Sequence, residues 1–229
     1  MNITKGELQI IVAINLVIFD LDGTLINSIS GITDAVNHTL REFNYTEVTE
    51  DAVLKYVSQG DEHLLASAFK SDCQDLIVRA IAVFRGYYFD NCNVVRLYDG
   101  IIETIKILRR NHKIMGVFSN KPLDVARKQL LTIGLQEYFS FLKADDGNIK
   151  LKPNPEAIEQ ILAEFGVEKA ETLMVGDTEI DIKTGKAIGV LTCGVTYGFG
   201  EIEALRDAKP DFIIKDFREL IEITESYRD

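Results

Sequence analysis

Two carboxylates one residue apart, Asp20 and Asp22, follow the apolar run Leu16-Val17-Ile18-Phe19 and lead into Gly23-Thr24-Leu25. A buried strand that ends this way presents paired acids at its tip. Negative groups so close repel unless a proton or a cation lies between them, and a pair of hard oxygen donors suits Mg²⁺. Gly23 lets the backbone turn sharply, and the Thr24 hydroxyl can hydrogen-bond within that turn. Taken alone, Asp-x-Asp-Gly also reads as an acidic turn capping a helix. Other acids and hydroxyls follow later apolar runs: Ser119-Asn120-Lys121 after Ile114 to Phe118, and Gly176-Asp177-Thr178 with Asp181 after Thr172 to Val175. A lysine, Lys152, stands in Lys152-Pro153-Asn154-Pro155, where the prolines restrict the loop.

The elements that must position these residues alternate. Continuous apolar runs at Leu16 to Asp20, Ile114 to Phe118, Thr172 to Val175 and Val190 to Val195 read as central parallel strands covered on both faces, with further candidates at Phe139 to Ala144 and Asp211 to Ile214. Helical patterns lie between them at Gly100 to Arg110, Leu123 to Ile133, Asn154 to Phe165 and Asp181 to Ile188. This alternation predicts an α/β fold, a Rossmann-like parallel sheet with right-handed crossovers and the site outside the carboxyl ends of its strands. Residues from about Ile26 to Val95 break the alternation. They read as helices with no clear strand: Ile32, Ala35, Val36, Thr39, Leu40 and Phe43 form one stripe, and Leu64, Leu65, Ala68 and Phe69 another. The expected organisation is a core of residues 1–25 and 96–229 with an inserted helical cap domain, 26–95, hinged over the carboxylates.

With 229 residues, 46% of them hydrophobic, the chain has enough apolar material for one large domain with an insert. A formal net charge of −11 argues against nucleic acid and anionic membranes as partners, while leaving room for a local site that binds one small anion. Cys73, Cys92 and Cys193 are far apart and odd in number, which points to reduced thiols and a cytoplasmic location. The stretch from Leu8 to Ile14 follows a lysine but is too short to span a bilayer and lacks a cleavage pattern. It reads as a lead-in to the first strand, or as an extra edge strand.

The order and spacing of Asp20-Leu21-Asp22-Gly23-Thr24-Leu25, Phe118-Ser119-Asn120-Lys121-Pro122, Lys152-Pro153-Asn154-Pro155 and Gly176-Asp177-Thr178-Glu179-Ile180-Asp181 resemble the haloacid dehalogenase superfamily over nearly the whole chain. The helical insert, with Tyr98-Asp99-Gly100 and Gly194 to Gly198, is similar to that of its phosphoglycolate phosphatase group. The resemblance implies a phosphatase acting on a small phosphorylated metabolite with Mg²⁺ as cofactor. Asp20 would be the nucleophile and Asp22 the general acid and base. Ser119 and Lys152 would complete the catalytic set, with Gly23, Thr24 and the Asn120 backbone at the phosphate. Asp20, Asp177, Asp181 and the main-chain carbonyl of Asp22 would surround the metal. Lys121 stands as a supporting residue. His38, His63 and His112 share no ligand spacing and read as packing residues. Substrate choice is expected from the loop Tyr56 to His63, through Gln59 and Gly60. Ser58 occupies a position where that group usually has a second glycine, which argues against glycolate itself. The alternatives are a sugar-phosphate mutase and a regulatory protein that binds phosphate without turnover, and the expected assembly is a monomer or homodimer.

Overall fold

The computed structural model describes residues 13–226, so the lead-in or edge strand expected in the first dozen residues lies outside the described part. Strand β1, Leu16–Phe19, is buried along its whole length and takes neighbours on both sides. It pairs in parallel with β4, Ile114–Pro122, and with β6, Thr172–Gly176. Beyond these lie β5, Phe141–Asp145, on one flank and β7, Leu191–Val195, and β8, Phe212–Ile214, on the other. The order β5-β4-β1-β6-β7-β8 is parallel at every pairing. Chain order reverses across β1, which makes its carboxyl end the switch point where a ligand crevice forms.

Side-chain alternation along β1 sorts its residues between two helical layers. Val17 and Phe19 pack with α5, Ile101–Arg110, and α6, Leu123–Thr132. Leu16 and Ile18 face α7, Glu156–Phe165, and Ile188 of α8, Glu179–Ile188. Short α9, Ile202–Asp207, precedes β8, and α10, Leu220–Ser226, closes the described chain.

The insert is helical, as its stripes predict. It comprises α1, Ile29–Glu42, α2, Glu50–Leu54, α3, Asp61–Phe69, and α4, Gln74–Asn91, and Ile32, Val36, Leu40, Leu65, Ile77 and Phe84 are among the residues of its own apolar cluster. One feature was not read from the pattern. Ile26–Asn27, β2, and Arg96–Leu97, β3, pair antiparallel, so the two chain crossings between core and insert run side by side. Two-residue strands carry too little alternation to be seen in a sequence. Contacts across the junction come from α4 and α6: Lys128 Nζ donates to the Phe89 carbonyl at 2.6 Å, and Gln129 Nε2 to the Cys92 carbonyl at 3.0 Å. Among the described residues no helix is long and apolar enough to cross a membrane.

Candidate active site

Register brings the chemistry together. Phe19 lies opposite Val117 on one side and Val175 on the other. Asp20 leaves β1 at that level, Ser119 to Lys121 finish β4, and Asp177 follows β6. Oxygens of Asp20, Asp177 and Asp181 lie within 4.8 Å of one another, all three side chains buried. Lys152 reaches this cluster from a loop, its Nζ donating to Asp20 Oδ1 at 2.7 Å and Asp181 Oδ1 at 2.6 Å. That loop is anchored by Asn120. Its Nδ2 donates to the Lys152 carbonyl at 2.9 Å, and its Oδ1 accepts from the Lys152 N–H at 2.8 Å. Asp181, in the first turn of α8, also accepts at Oδ2 from the hydroxyl and backbone N–H of Thr178, at 2.7 and 3.1 Å.

Asp177 is held by backbone. Its Oδ2 accepts from the N–H groups of Phe199 and Gly200 at 2.7 and 3.2 Å, and its Oδ1 from the Thr24 hydroxyl at 3.1 Å. Gly23 adopts φ +82°, and a Cβ there would stand 2.2 Å from Asp177 Oδ2. The glycine therefore serves both the turn and the close approach of the carboxylate.

Three buried carboxylates against one ammonium leave a formal charge of −2 in this cluster. Low-dielectric surroundings make such an imbalance costly, so protons are retained unless a cation replaces them. Burial, only partly offset by Lys152, pushes the Asp20 carboxyl from its ordinary 3.8 up to about 7, with Asp181 and Asp22 adding to the rise. Burial, then Asp20 and Asp181, raises Asp177 well above the carboxylate range against the pull of the Phe199 and Gly200 N–H groups. Burial works against the Lys152 ammonium, but Asp181 and Asp20 more than offset it and hold the lysine above its usual range. The donor set is hard oxygen throughout and matches a divalent cation such as Mg²⁺.

The Asp22 side chain stands apart from this cluster. Its Oδ1 accepts from Lys121 Nζ at 2.6 Å and from the Ser28 hydroxyl. Lys121 also donates to Gln129 Oε1 at 2.6 Å, and Gln129 donates to the Tyr88 hydroxyl of α4 at 3.2 Å. A buried chain of hydrogen bonds thus runs from Asp22 through the core to the insert. Lys121 is therefore tied directly to a predicted catalytic residue.

A cavity opens over the cluster. Asp20, Asp22, Ser119, Lys152 and Asp177 form its floor, and the insert supplies Val57, Asp61, Leu64, Phe84 and Tyr88 as its roof. Asp61 Oδ2 accepts from Arg85 Nε at 2.6 Å, and Arg85 Nη2 bridges to Asp145 at the end of β5 at 2.8 Å. Burial, partly offset by Arg85, raises the Asp61 carboxyl.

The structure thus gathers Asp20, Asp22, Ser119, Asn120, Lys152 and Asp177 around one cavity, and ties Asp181, which does not line it, to Asp20 through Lys152. It sets Gly23 and Thr24 against Asp177, and the Asn120 side chain on the Lys152 backbone. Gln59 is exposed and Gly60 has open space about it, while their neighbours Val57 and Asp61 line the cavity. Ser119 does not cap a helix, because β4 runs on to Pro122, which itself stands at the N-cap of α6. His38 stacks on Tyr87 with ring centres 3.9 Å apart, and His63 packs near Tyr56, as packing residues would. Sequence reasoning named the loop that carries Asp61 without singling that residue out, and missed Arg85, Gln129 and the Phe199-Gly200 amides. For the amides a signal was present: Gly198 and Gly200, spaced just after an apolar run, mark a backbone that approaches something closely.

The parallel sheet, its switch point and the lysine-bridged acids define a Rossmann-like α/β protein with a hard-oxygen centre under a helical roof. A family model described as haloacid dehalogenase-like hydrolase matches residues 17–195, and the chain belongs to that family, within its phosphoglycolate phosphatase-like group. It is 33% identical over 214 residues to the phosphoglycolate phosphatase of Haemophilus influenzae, covering 90% of this chain and 96% of that one. It is also 31% identical over 211 residues to the pyrophosphatase PpaX of Halalkalibacterium halodurans, covering 92% and 96%. The crystal structure of a predicted phosphoglycolate phosphatase from Haemophilus somnus superposes with a TM-score of 0.87 at 29% identity, covering 96% of this chain and all of that one.

Proposed function

We propose that the protein is a Mg²⁺-dependent phosphatase that hydrolyses a small organic phosphate monoester through a phosphorylated Asp20. The observation that carries this reading is the buried cluster of three carboxylates and one lysine, short of positive charge, beside the Ser119 hydroxyl at the switch point of the sheet. Asp20, Asp177 and Asp181, with the main-chain carbonyl of Asp22, would hold the metal, which supplies charge neutralisation at the phosphoryl oxygens. An Asp20 oxygen attacks phosphorus as the ester oxygen departs, and Asp22 gives that oxygen a proton. Asp22 then takes a proton from the water that attacks the phosphorylated Asp20, releasing inorganic phosphate and restoring both carboxyl groups.

Lys152 neutralises charge on Asp20 and the phosphate. Ser119 and the Asn120 backbone N–H donate to phosphoryl oxygens, where fixed donors stabilise the transition state more than water does. Gly23 and Thr24 act one step back, by setting Asp177. Residues 26–95 serve as the cap that covers the substrate and excludes water. Three free cysteines, two of them buried, fit a cytoplasmic enzyme with reduced thiols, acting as a monomer or homodimer.

The test is phosphate release from p-nitrophenyl phosphate and small phosphate esters, with Mg²⁺ or EDTA, for the wild type and Asp20→Asn. Magnesium-dependent release that falls about 10⁴-fold or more in the variant is expected. Folded wild type that releases no phosphate from any ester would refute the proposal.

A further inference from the structure

Resting on the phosphatase reading above, we infer that the leaving group of the substrate carries a hydrogen-bond donor, a hydroxyl or an ammonium, and no carboxylate, and that Asp61 selects it. The roof of the cavity is apolar at Ile32, Val57, Leu64 and Phe84, and Asp61 is the acid among these insert residues. Tyr88 lines it too, but its hydroxyl accepts from Gln129. The lysines that line the cavity are both engaged: Lys121 with Asp22 and Gln129, Lys152 with Asp20 and Asp181.

Arg85, the basic residue paired with Asp61, does not offset this. Its Nε donates to Asp61 Oδ2 and its Nη2 to Asp145 Oδ2, and Arg85 is not among the residues that line the cavity, so the guanidinium fixes the acid while the acid is the member of the pair that faces the substrate. A leaving group with a hydroxyl or ammonium finds in Asp61 an acceptor fixed by its partner. A carboxylate would meet Asp61, the member of the Asp61–Arg85 pair that lines the cavity, and such like-charge juxtapositions are strongly unfavourable when desolvated. Phosphoglycolate, the compound in the Haemophilus relative's name, is therefore a poor substrate here.

The experiment compares three esters on one two-carbon skeleton: 2-phosphoglycolate, 2-hydroxyethyl phosphate and ethanolamine phosphate. Each is measured as a substrate by kcat/KM and as a competitive inhibitor of p-nitrophenyl phosphate hydrolysis, so a slow ester is still ranked. The hydroxyl and ammonium esters should exceed 2-phosphoglycolate by at least about tenfold in the wild type. Asp61→Asn, or Asp61→Ser should the first fold poorly, should narrow the gap between the ammonium and carboxylate esters by a similar factor.

A wild type that prefers 2-phosphoglycolate would overturn the inference, and loss of that preference in Arg85→Gln would make Arg85 the carboxylate receptor instead. An ammonium-to-carboxylate gap as wide as the wild type's in both folded Asp61 variants would also overturn it. Failure to hydrolyse p-nitrophenyl phosphate as well as all three esters would remove the phosphatase reading, and this inference with it. Turnover of p-nitrophenyl phosphate with the wrong ranking removes the inference alone.

Discussion

Stripping divalent cations should make this protein lose stability as pH rises from about 4 to about 7. The Asp20 carboxyl is pushed up to about 7 from 3.8 by burial, and Asp177 moves in the same direction. A carboxyl whose folded-state pKa lies above its unfolded value binds its proton more tightly in the folded chain. Below about pH 4 both states are protonated and the stabilising effect is complete. Between about pH 4 and pH 7 the unfolded chain has ionised while the folded Asp20 still holds its proton, so each pH unit removes about 1.4 kcal/mol. Over the window, Asp20 alone accounts for about 4 kcal/mol, a large part of the 5–15 kcal/mol typical of a domain (~10). A bound cation stabilises the ionised form and opposes the loss. Urea unfolding at about pH 5, 6, 7 and 8, with Mg²⁺ or EDTA, reads the effect as a gap between the two curves that widens with pH. Asp20→Asn, which has no proton to lose, should flatten the EDTA curve. EDTA-treated wild type as stable at about pH 8 as at about pH 5, or the same slope in Asp20→Asn, would refute the reasoning.

Two substitutions probe the supports of the site. Gly23→Ala combines the cost of φ +82°, about 1–2 kcal/mol, with a Cβ placed 2.2 Å from Asp177 Oδ2. It should lower both urea stability and kcat, whereas Gly189→Ala, at φ +80° with open space around it, should lower stability alone. Gln129→Leu removes the bonds to Lys121, Tyr88 and the Cys92 carbonyl and should destabilise by about 1–3 kcal/mol. By loosening Lys121 against Asp22 it should slow alkyl phosphates more than p-nitrophenyl phosphate, whose phenolate departs without a proton. An equal loss on both esters would make Gln129 merely a packing residue.

Strands β1, β4 and β6 were legible because a strand covered on both faces must be apolar throughout, and their chemistry follows at once in the chain. The helical insert was legible through the stripes of α1 and α3. The boundaries slipped where local geometry intervenes: α7 begins at Glu156 because Pro155 precedes it, and β5 starts at Phe141 after a tight turn at Gln136–Tyr138. Residues that act through distant partners could not be seen. Gln129 lies on a helix of ordinary pattern, and only the approach of α4 to α6 makes it a link between Lys121 and Tyr88. Asp61 reads as a helix-start acid, since its partner Arg85 is 24 residues away in the chain, and Asp145, the other carboxylate that Arg85 holds, is 84 away. Gln59, expected from the sequence to read the substrate, is exposed and does not line the cavity, whereas Val57 and Asp61 of the same loop do.

The antiparallel pairing of Ile26–Asn27 with Arg96–Leu97 places the entry and exit of the insert next to each other. A segment joined in this way behaves as a cassette. Its length and contents can change without altering the distance its ends must span, so the sheet need not be rebuilt to accept a different one. The part of the gene that writes the floor of the cavity is therefore separable from the part that writes the roof. Exchanging residues between these two strands with those of a relative is the cut by which chemistry and selectivity can be recombined in one chain.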